Sequence, residues 1–200
     1  MRDIGGIVLA AGLSDRMRGP LPKQLLPLGG LTLAAVTVRR AESSVLDRIV
    51  VVTGHRSGDV ARAVGGGRAE IVDNPDYRDG NMTSFRVGAK ALEGCAAFVV
   101  LLADMPGVTA EMINRIVDEW QLAQPWAAVS SYTDGRAHPL LLSAAAMNDA
   151  VLAEGAKGVW RFLDGAPEGW VEQIVFNAPM PADINTKAEY EGMLADGDED

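Results

Sequence analysis

Residues 5–11 read GGIVLAA, the first of four short runs rich in Val and Ile in the first half of the chain. The others are RIVVVTG at 48–54, AEIVDN at 69–74 and AFVVLLAD at 97–104. Continuous apolar runs are typical of strands buried on both faces. Segments in which apolar residues recur at helical spacing lie between and after these runs, most clearly at 109–122. We therefore predict a three-layer α/β/α fold with a mostly parallel, Rossmann-like sheet.

The pattern changes after Pro125. The segment WAAVSSYTDGRAHPLLLS at 126–143 predicts two strands joined near Asp134-Gly135, as a small antiparallel insertion. Further helices are predicted at 144–153, at 157–163 and from about Thr186. We expect residues 1–194 to form one domain and residues 195–200, ADGDED, to form a disordered acidic tail.

Composition limits the function. The 200 residues are 48% hydrophobic, enough to bury a full core. The net charge of -9 argues against a general binder of nucleic acid or anionic membrane. Cys95 is the only cysteine, which excludes an intramolecular disulfide and multi-cysteine metal sites and suits a reducing compartment. The N-terminal apolar stretch is too short for a signal peptide or a spanning helix, so we expect a cytoplasmic protein.

The segment LAAGLSDRMRGPLPKQLL at 9–26 follows the first predicted strand. In open α/β sheets, ligands bind beyond the carboxyl ends of the strands. Gly12 can bring backbone N–H groups close to a phosphate, and Arg16, Arg18 and Lys23 can supply charge. The segment matches neither the Walker A motif nor G-x-G-x-x-G. Taken alone, it fits either an anion site or a surface loop that merely turns the chain.

Six ordered motifs make the interpretation specific. They are LAAG-x-S-x-R-M with PK-x-L in 9–26, NPDYRDGNMTSFRVGAKAL at 74–92, LLADMPGVTAEMI at 101–113, GRAHPLLLS at 135–143, EGAKGVWRFL at 154–163 and DINTKAEYE at 183–191. Together they resemble the MobA-like nucleotidyltransferases, a family that includes molybdopterin guanylyltransferase, molybdenum cofactor cytidylyltransferase and the sugar-nucleotide pyrophosphorylases. The resemblance implies the nucleotide-diphospho-sugar transferase type of fold and a nucleotidyltransferase activity.

The resemblance also implies roles for charged residues. Arg16 binds phosphate, and Lys23 contacts the α-phosphate region where charge builds as pyrophosphate leaves. Asp104 is the principal Mg²⁺ ligand, with Asp183 or Asn185 as the second, and Mn²⁺ is an alternative metal. Residue 185 is often acidic in the family, so the neutral Asn185 weakens the charge of this site.

Further residues are implied to bind the nucleotide or its acceptor. By this resemblance the base and sugar are bound by Leu9, Ala10, Ala11 and Gly12. Candidates for further nucleotide or base contacts are Asn81, Thr83, Ser84 and Arg86. The last four could instead simply begin the third helix. On the acceptor side the resemblance points to His138 and Lys157, although His138 before Pro139 could also be a structural histidine satisfied by the backbone.

The implied reaction transfers CMP to a phosphate of molybdopterin or a related acceptor and releases pyrophosphate. Ala11 in LAAG favours CTP, whereas LAGG is more typical of the GTP enzymes. The expected partners are a nucleoside triphosphate, a phosphorylated pterin and a molybdoenzyme that receives the cofactor, with no nucleic acid or membrane.

Two other functions stay open at this point. One is an NAD(P)H-dependent oxidoreductase acting on a small aromatic compound, as in a related branch of the family. Arg18, which departs from the family pattern, could bind a 2′-phosphate, but the missing G-x-G-x-x-G argues against this reading. The other is a non-catalytic nucleotide-binding or cofactor-chaperone protein, against which Lys23 and Asp104 argue.

Overall fold

The computed structural model describes residues 3–17, 19–152 and 158–197. Its strands are β1 (Ile4–Leu9), β2 (Pro27–Leu28), β3 (Leu31–Thr32), β4 (Arg48–Thr53), β5 (Glu70–Asp73), β6 (Ala97–Leu102), β7 (Ala127–Tyr132), β8 (Gly135–Ser143) and β9 (Val171–Val175). Its helices are α1 (Leu33–Glu42), α2 (Ser57–Val64), α3 (Asn81–Ala91), α4 (Ala110–Ala123), α5 (Ala144–Leu152), α6 (Val159–Asp164) and α7 (Lys187–Gly197). The predicted alternation of strands and helices is confirmed.

Seven of these strands form one sheet in the order β5-β4-β1-β6-β8-β7-β9. Strand β8 is antiparallel to β6 and β7, whereas β5, β4, β1 and β6 pair in parallel, as do β7 and β9. The mostly parallel sheet is therefore as predicted.

The predicted hairpin exists, but β7 and β8 belong to the main sheet instead of forming an insertion. The physical reason is burial, because residues 127–130 and 140–142 are fully enclosed and need helices on both faces. The small separate antiparallel sheet is made by β2 and β3, within the loop region after β1.

The core has two parts, one on each face of the sheet. Successive residues of β1 point to opposite faces, so Val8 packs with residues of α1, α2 and α4, and Ile7 packs with residues of α3, α5 and α6. Helices therefore cover both faces, which confirms the three-layer architecture. Thr109 caps α4, since its side chain accepts a hydrogen bond from the Met112 N–H.

Two glycines let α3 lie close to β1. A Cβ atom on Gly88 of α3 would stand 2.5 Å from the Ile7 side chain, and one on Gly5 of β1 would stand 2.7 Å from Leu92. The absence of side chains at these two positions lets α3 pack directly against β1.

Helix α7 begins directly after Thr186, where the last helix was predicted, but it continues to Gly197. Residues 195–197 are therefore helical, although they belong to the predicted acidic tail, and residues 198–200 lie outside the described residues. Within the described ranges, none of the helices has both the length and the apolar character needed to cross a bilayer.

Candidate active site

A cleft of about 520 Å³ lies beyond the carboxyl ends of β1 and β6. Its walls come from the segment after β1, from the start of α3, from the end of β6 and from the residues that precede α7. This is the position at which open α/β sheets bind ligands. We call residues 10–26 the β1 loop, and its residues 11–16, 23 and 24 form one wall of the cleft.

The predicted phosphate-binding lysine and metal ligand meet in this cleft. Lys23 forms an ion pair with Asp104, and their side chains are only 13% and 15% exposed. Burial raises the pKa of Asp104, Lys23 opposes that shift, and the nearby Asp183 carboxylate adds to it. The ionised Asp104 is therefore incompletely compensated, and this corner can accommodate a further cation.

The segment before α7 closes the site from the other side. The backbone N–H of Ile184 donates to the Asp104 carbonyl at 2.9 Å, which holds Asp183 beside Asp104. The Asn185 Oδ1 atom accepts hydrogen bonds from Arg16 at 2.6 Å and from Lys23 at 2.9 Å. Residues far apart in sequence thus form one charged cluster.

A buried glutamine that the motif comparison treated as a variable position fixes the shape of the β1 loop. Gln24 is 3% exposed, accepts from the Ser14 hydroxyl at 3.0 Å and donates to the Gly12 carbonyl at 3.1 Å. Ser14 in turn accepts from the Lys23 backbone N–H at 3.0 Å. The sequence signal is an uncharged amide between Lys23 and the apolar residues Leu25 and Leu26, and its contacts hold Gly12 and Lys23 in register.

The start of α3 supplies the opposite wall. Asn81 and Ser84 line the cleft, as the motif implied. Buried Asn74 orders this turn by donating to the Thr83 hydroxyl at 2.9 Å and the Ser84 hydroxyl at 2.8 Å. Thr83 is occupied by this network and by the Gly80 carbonyl, and it does not line the cleft.

Two further implied nucleotide contacts, besides Thr83, lie outside the cleft. Leu9, Ala11 and Gly12 line the cleft, but the Ala10 side chain is fully buried in the core and its N–H donates to the Val52 carbonyl. The Arg86 Nε atom donates to the Val151 carbonyl at the end of α5, because its position on α3 faces α5.

The acceptor-side residues are not gathered in the cleft either. His138 is buried, and its Nδ1–H donates to the Val100 carbonyl at 3.0 Å. Burial lowers the pKa of His138 to about 4 although Val100 and Asp183 favour the proton, so the ring is neutral near pH 7. This matches the structural alternative for His138. Lys157 and Arg18 lie outside the described residues.

The donor set suits a metal that arrives with a nucleotide. Asp104 and Asp183 line the cleft, and among the residues that the structure describes no group of three or more His, Cys, Asp or Glu side chains could hold a metal. Mg²⁺ and Mn²⁺ accept one or two carboxylates together with water and phosphate oxygens. These two carboxylates therefore fit such an ion as its protein ligands.

An open α/β sheet with three cationic and three carboxylate side chains around a cleft at its carboxyl edge is typical of α/β proteins that bind phosphorylated ligands. The sequence model of the MobA-like NTP transferase domain matches residues 6–172, so the chain belongs to that family and is a nucleotidyltransferase.

Similarity to individual proteins extends over nearly the whole chain. The molybdenum cofactor cytidylyltransferase of Escherichia coli (strain K12) is 28% identical over 191 residues, which cover 95% of both chains. The crystal structure of the Rv0371c homologue from Mycobacterium sp. strain JC1 is 31% identical, with a TM-score of 0.84 over 96% of both chains. Rv0371c of Mycobacterium tuberculosis H37Rv, solved in complex with manganese, is 26% identical, with a TM-score of 0.80 over 96% of this chain and 98% of that one.

Proposed function

We propose that this nucleotidyltransferase transfers CMP from CTP to a phosphate of a molybdopterin-type acceptor and releases pyrophosphate. The observation that carries the proposal is the convergence of Arg16, Lys23, Asp104 and Asp183 in one cleft. The choice of CTP is supported by Ala11 in the LAAG motif and by the cytidylyltransferase from Escherichia coli.

In this proposal the nucleoside lies between the β1 loop and the first turn of α3. Ala11 and Gly12 contact it from one side, and Asn81 and Ser84 from the other. The triphosphate extends toward Arg16 and Lys23, whose positive charges attract it. The first turn of α3 adds backbone N–H groups and the positive end of the helix dipole on the same side.

The transfer step needs no covalent protein intermediate. A phosphate oxygen of the acceptor attacks the α-phosphorus, and the bond from that phosphorus to pyrophosphate breaks. Lys23 exchanges its ion pair with Asp104 for one with the nucleotide, where it stabilises the charge that develops on the departing pyrophosphate. Asp104 and Asp183 would hold a divalent cation, which supplies charge neutralisation and phosphate alignment when bound.

Thermal shift and pyrophosphate release test the proposal. CTP with Mg²⁺ should raise Tm more than GTP or NADPH, because a ligand at a hundredfold excess over its Kd stabilises the native state by about 2.7 kcal/mol. Pyrophosphate should appear only when a phosphorylated pterin is also present.

A pair of lysine variants tests whether the shift comes from the cleft, with Lys90→Ala as the control for Lys23→Ala. Lys23→Ala should lose the shift with CTP, whereas Lys90→Ala, exposed at the far end of α3, should keep it. A shift with NADPH alone would refute the transferase assignment and favour the oxidoreductase.

A further inference from the structure

Arg78 is a third cationic side chain in the wall of the cleft, besides Arg16 and Lys23. It belongs to the short 3-10 turn that precedes α3, so it stands on the wall opposite the β1 loop. Its acidic neighbours Asp76 and Asp79 do not line the cleft. Of its charged side chains, this turn thus presents only the positive one to the space in which we propose that the nucleotide binds.

Tyr77 orients the Arg78 side chain. The Tyr77 hydroxyl accepts a hydrogen bond from the Arg78 Nε–H at 3.3 Å, and the guanidinium carbon lies 5.6 Å from the centre of the ring. Tyr77 itself packs against Gly54, where a Cβ atom would stand 2.7 Å from the Tyr77 Cβ atom. Among the residues that the structure describes, the two terminal amino groups of Arg78 have no hydrogen-bond acceptor. These groups are therefore available to a ligand.

The charge of Arg78 faces the part of the β1 loop that we propose binds phosphate. The Tyr77 hydroxyl raises the pKa of Arg78, and the Asp15 carboxylate on the opposite wall adds to this shift. Asp15 directly precedes Arg16 in the chain. Asp15 and Arg78 both line the cleft and both are exposed, so they lie at its mouth, where they attract each other from opposite walls.

We infer that Arg78 is a further nucleotide-binding residue, which contacts the triphosphate from the wall opposite Arg16 and Lys23. The triphosphate then lies between cations on both sides of the cleft. Without nucleotide, Asp15 attracts the guanidinium. A triphosphate carries more negative charge than one carboxylate, so it takes Arg78 from Asp15 when it binds. The inference rests on the proposed function, since it assumes that this cleft binds a nucleoside triphosphate.

Calorimetric titration of the full chain with inorganic tripolyphosphate in EDTA tests the inference, because this probe contains neither base nor metal. Arg78→Ala should weaken binding about tenfold, the scale of hydrogen bonds between charged groups. Arg78→Lys keeps the charge and should recover part of the loss, although it lacks the planar fork of donors. Because Arg78 is exposed, neither variant should change Tm in the absence of ligand.

Arg62→Ala provides the matched control. It removes the same charge from a side chain on α2 that is 76% exposed and does not line the cleft. At physiological ionic strength this distant charge is screened, so the variant should bind tripolyphosphate like the wild type.

Asp15→Asn tests the competition for Arg78. Removal of this carboxylate should strengthen tripolyphosphate binding about threefold, because it releases the guanidinium and removes a negative charge from the cleft. The gain should be smaller when Arg78 is already alanine, since only the second effect is left. Equal gains in the two backgrounds would contradict the competition and overturn the inference.

Two further outcomes separate the inference from the proposed function. If Arg78→Ala binds tripolyphosphate like the wild type, the inference is overturned, even where its affinity for CTP falls, because Arg78 would then contact the nucleoside. Failure of the wild type to bind both CTP and tripolyphosphate would instead overturn the proposed function.

Discussion

The parallel half of the sheet, β5-β4-β1-β6, and the half that contains the reversed strand, β8-β7-β9, place titratable side chains differently. In the parallel half, Lys23 and Asp104 stand beyond the strand ends, partly open to the cleft and charged. In the other half, His138 lies inside β8, fully enclosed and neutral. Strand ends can hold charges that are available for chemistry, whereas a strand interior stabilises only the uncharged form.

The two halves also differ in their ion pairs. The side chains of Lys23 and Asp104 are 13% and 15% exposed, whereas those of Arg136 and Asp164, which pair between β8 and α6, are 39% and 54% exposed. Burial raises the pKa of Asp104, so its charge opposes folding at neutral pH. The exposed pair of Arg136 and Asp164 is screened by water and contributes little to the free energy of unfolding.

The largest effect that we predict is on Asp104. Asp104→Asn should lower kcat about 1000-fold, the scale found when a group that stabilises transferred charge is removed. It should not lower the free energy of unfolding at pH 7. A carboxyl whose pKa is raised by folding destabilises the native state when it is ionised, and the amide removes that penalty. Pyrophosphate release and urea unfolding measure the two quantities.

Asp164→Asn is the control for this prediction. It makes the same replacement of a carboxylate by an amide in the other half of the molecule, and it should leave kcat unchanged. If Asp104→Asn kept a tenth of the activity, or lost several kcal/mol of stability, then Asp104 would be a structural residue like His138 and the contrast between the halves would fail.

The second prediction concerns the pH dependence that His138 imposes. Its pKa is about 4 in the fold, against 6.5 for an ordinary histidine. The unfolded chain therefore binds the proton first as pH falls, so this contribution to stability is present above pH 6.5 and is lost between pH 6.5 and 4. The loss amounts to about 3 kcal/mol by the linkage relation. Urea unfolding at pH 7 and pH 4.5 measures most of it.

His138→Asn isolates this term from the carboxyl groups, whose titration is common to both proteins. The asparagine amide can donate to the Val100 carbonyl in place of Nδ1–H, but it cannot be protonated in this range. The variant should lose less stability than the wild type between the two pH values. Parallel losses would show that His138 is already charged in the fold, contrary to its burial.

Sequence patterns predict those parts of the molecule that depend on residues close together along the chain. The four apolar runs located the parallel strands, and the motifs placed Lys23 and Asp104 in one cleft because both follow strands that end at the same edge. The cap at Thr109 is also predictable from sequence, because its partner, the Met112 N–H, is only three residues away along the chain.

Properties that depend on tertiary partners could not be predicted in this way. Gln24 was treated as a variable position, because its function comes from contacts with Ser14 and Gly12 across the loop. Arg86 belongs to the same motif as Ser84, but the helix turns it toward α5 and away from the cleft. The pairing of Asn185 with Arg16 joins opposite ends of the chain, and no spacing rule indicates it.

The smallest predicted effect is on the exposed pair of the second half. Asp164→Asn should change the free energy of unfolding by less than about 1 kcal/mol, and added salt should reduce the difference further. Arg136→Ala should lower the free energy of unfolding by more than Asp164→Asn does, because the guanidinium also lies 5.6 Å from the centre of the Trp160 ring. Urea unfolding at low and high salt separates the two contributions. A salt-insensitive loss of 2 kcal/mol or more in Asp164→Asn would mean that this pair is effectively buried. Exposure would then not distinguish it from the Lys23–Asp104 pair, for which we propose a role in the reaction.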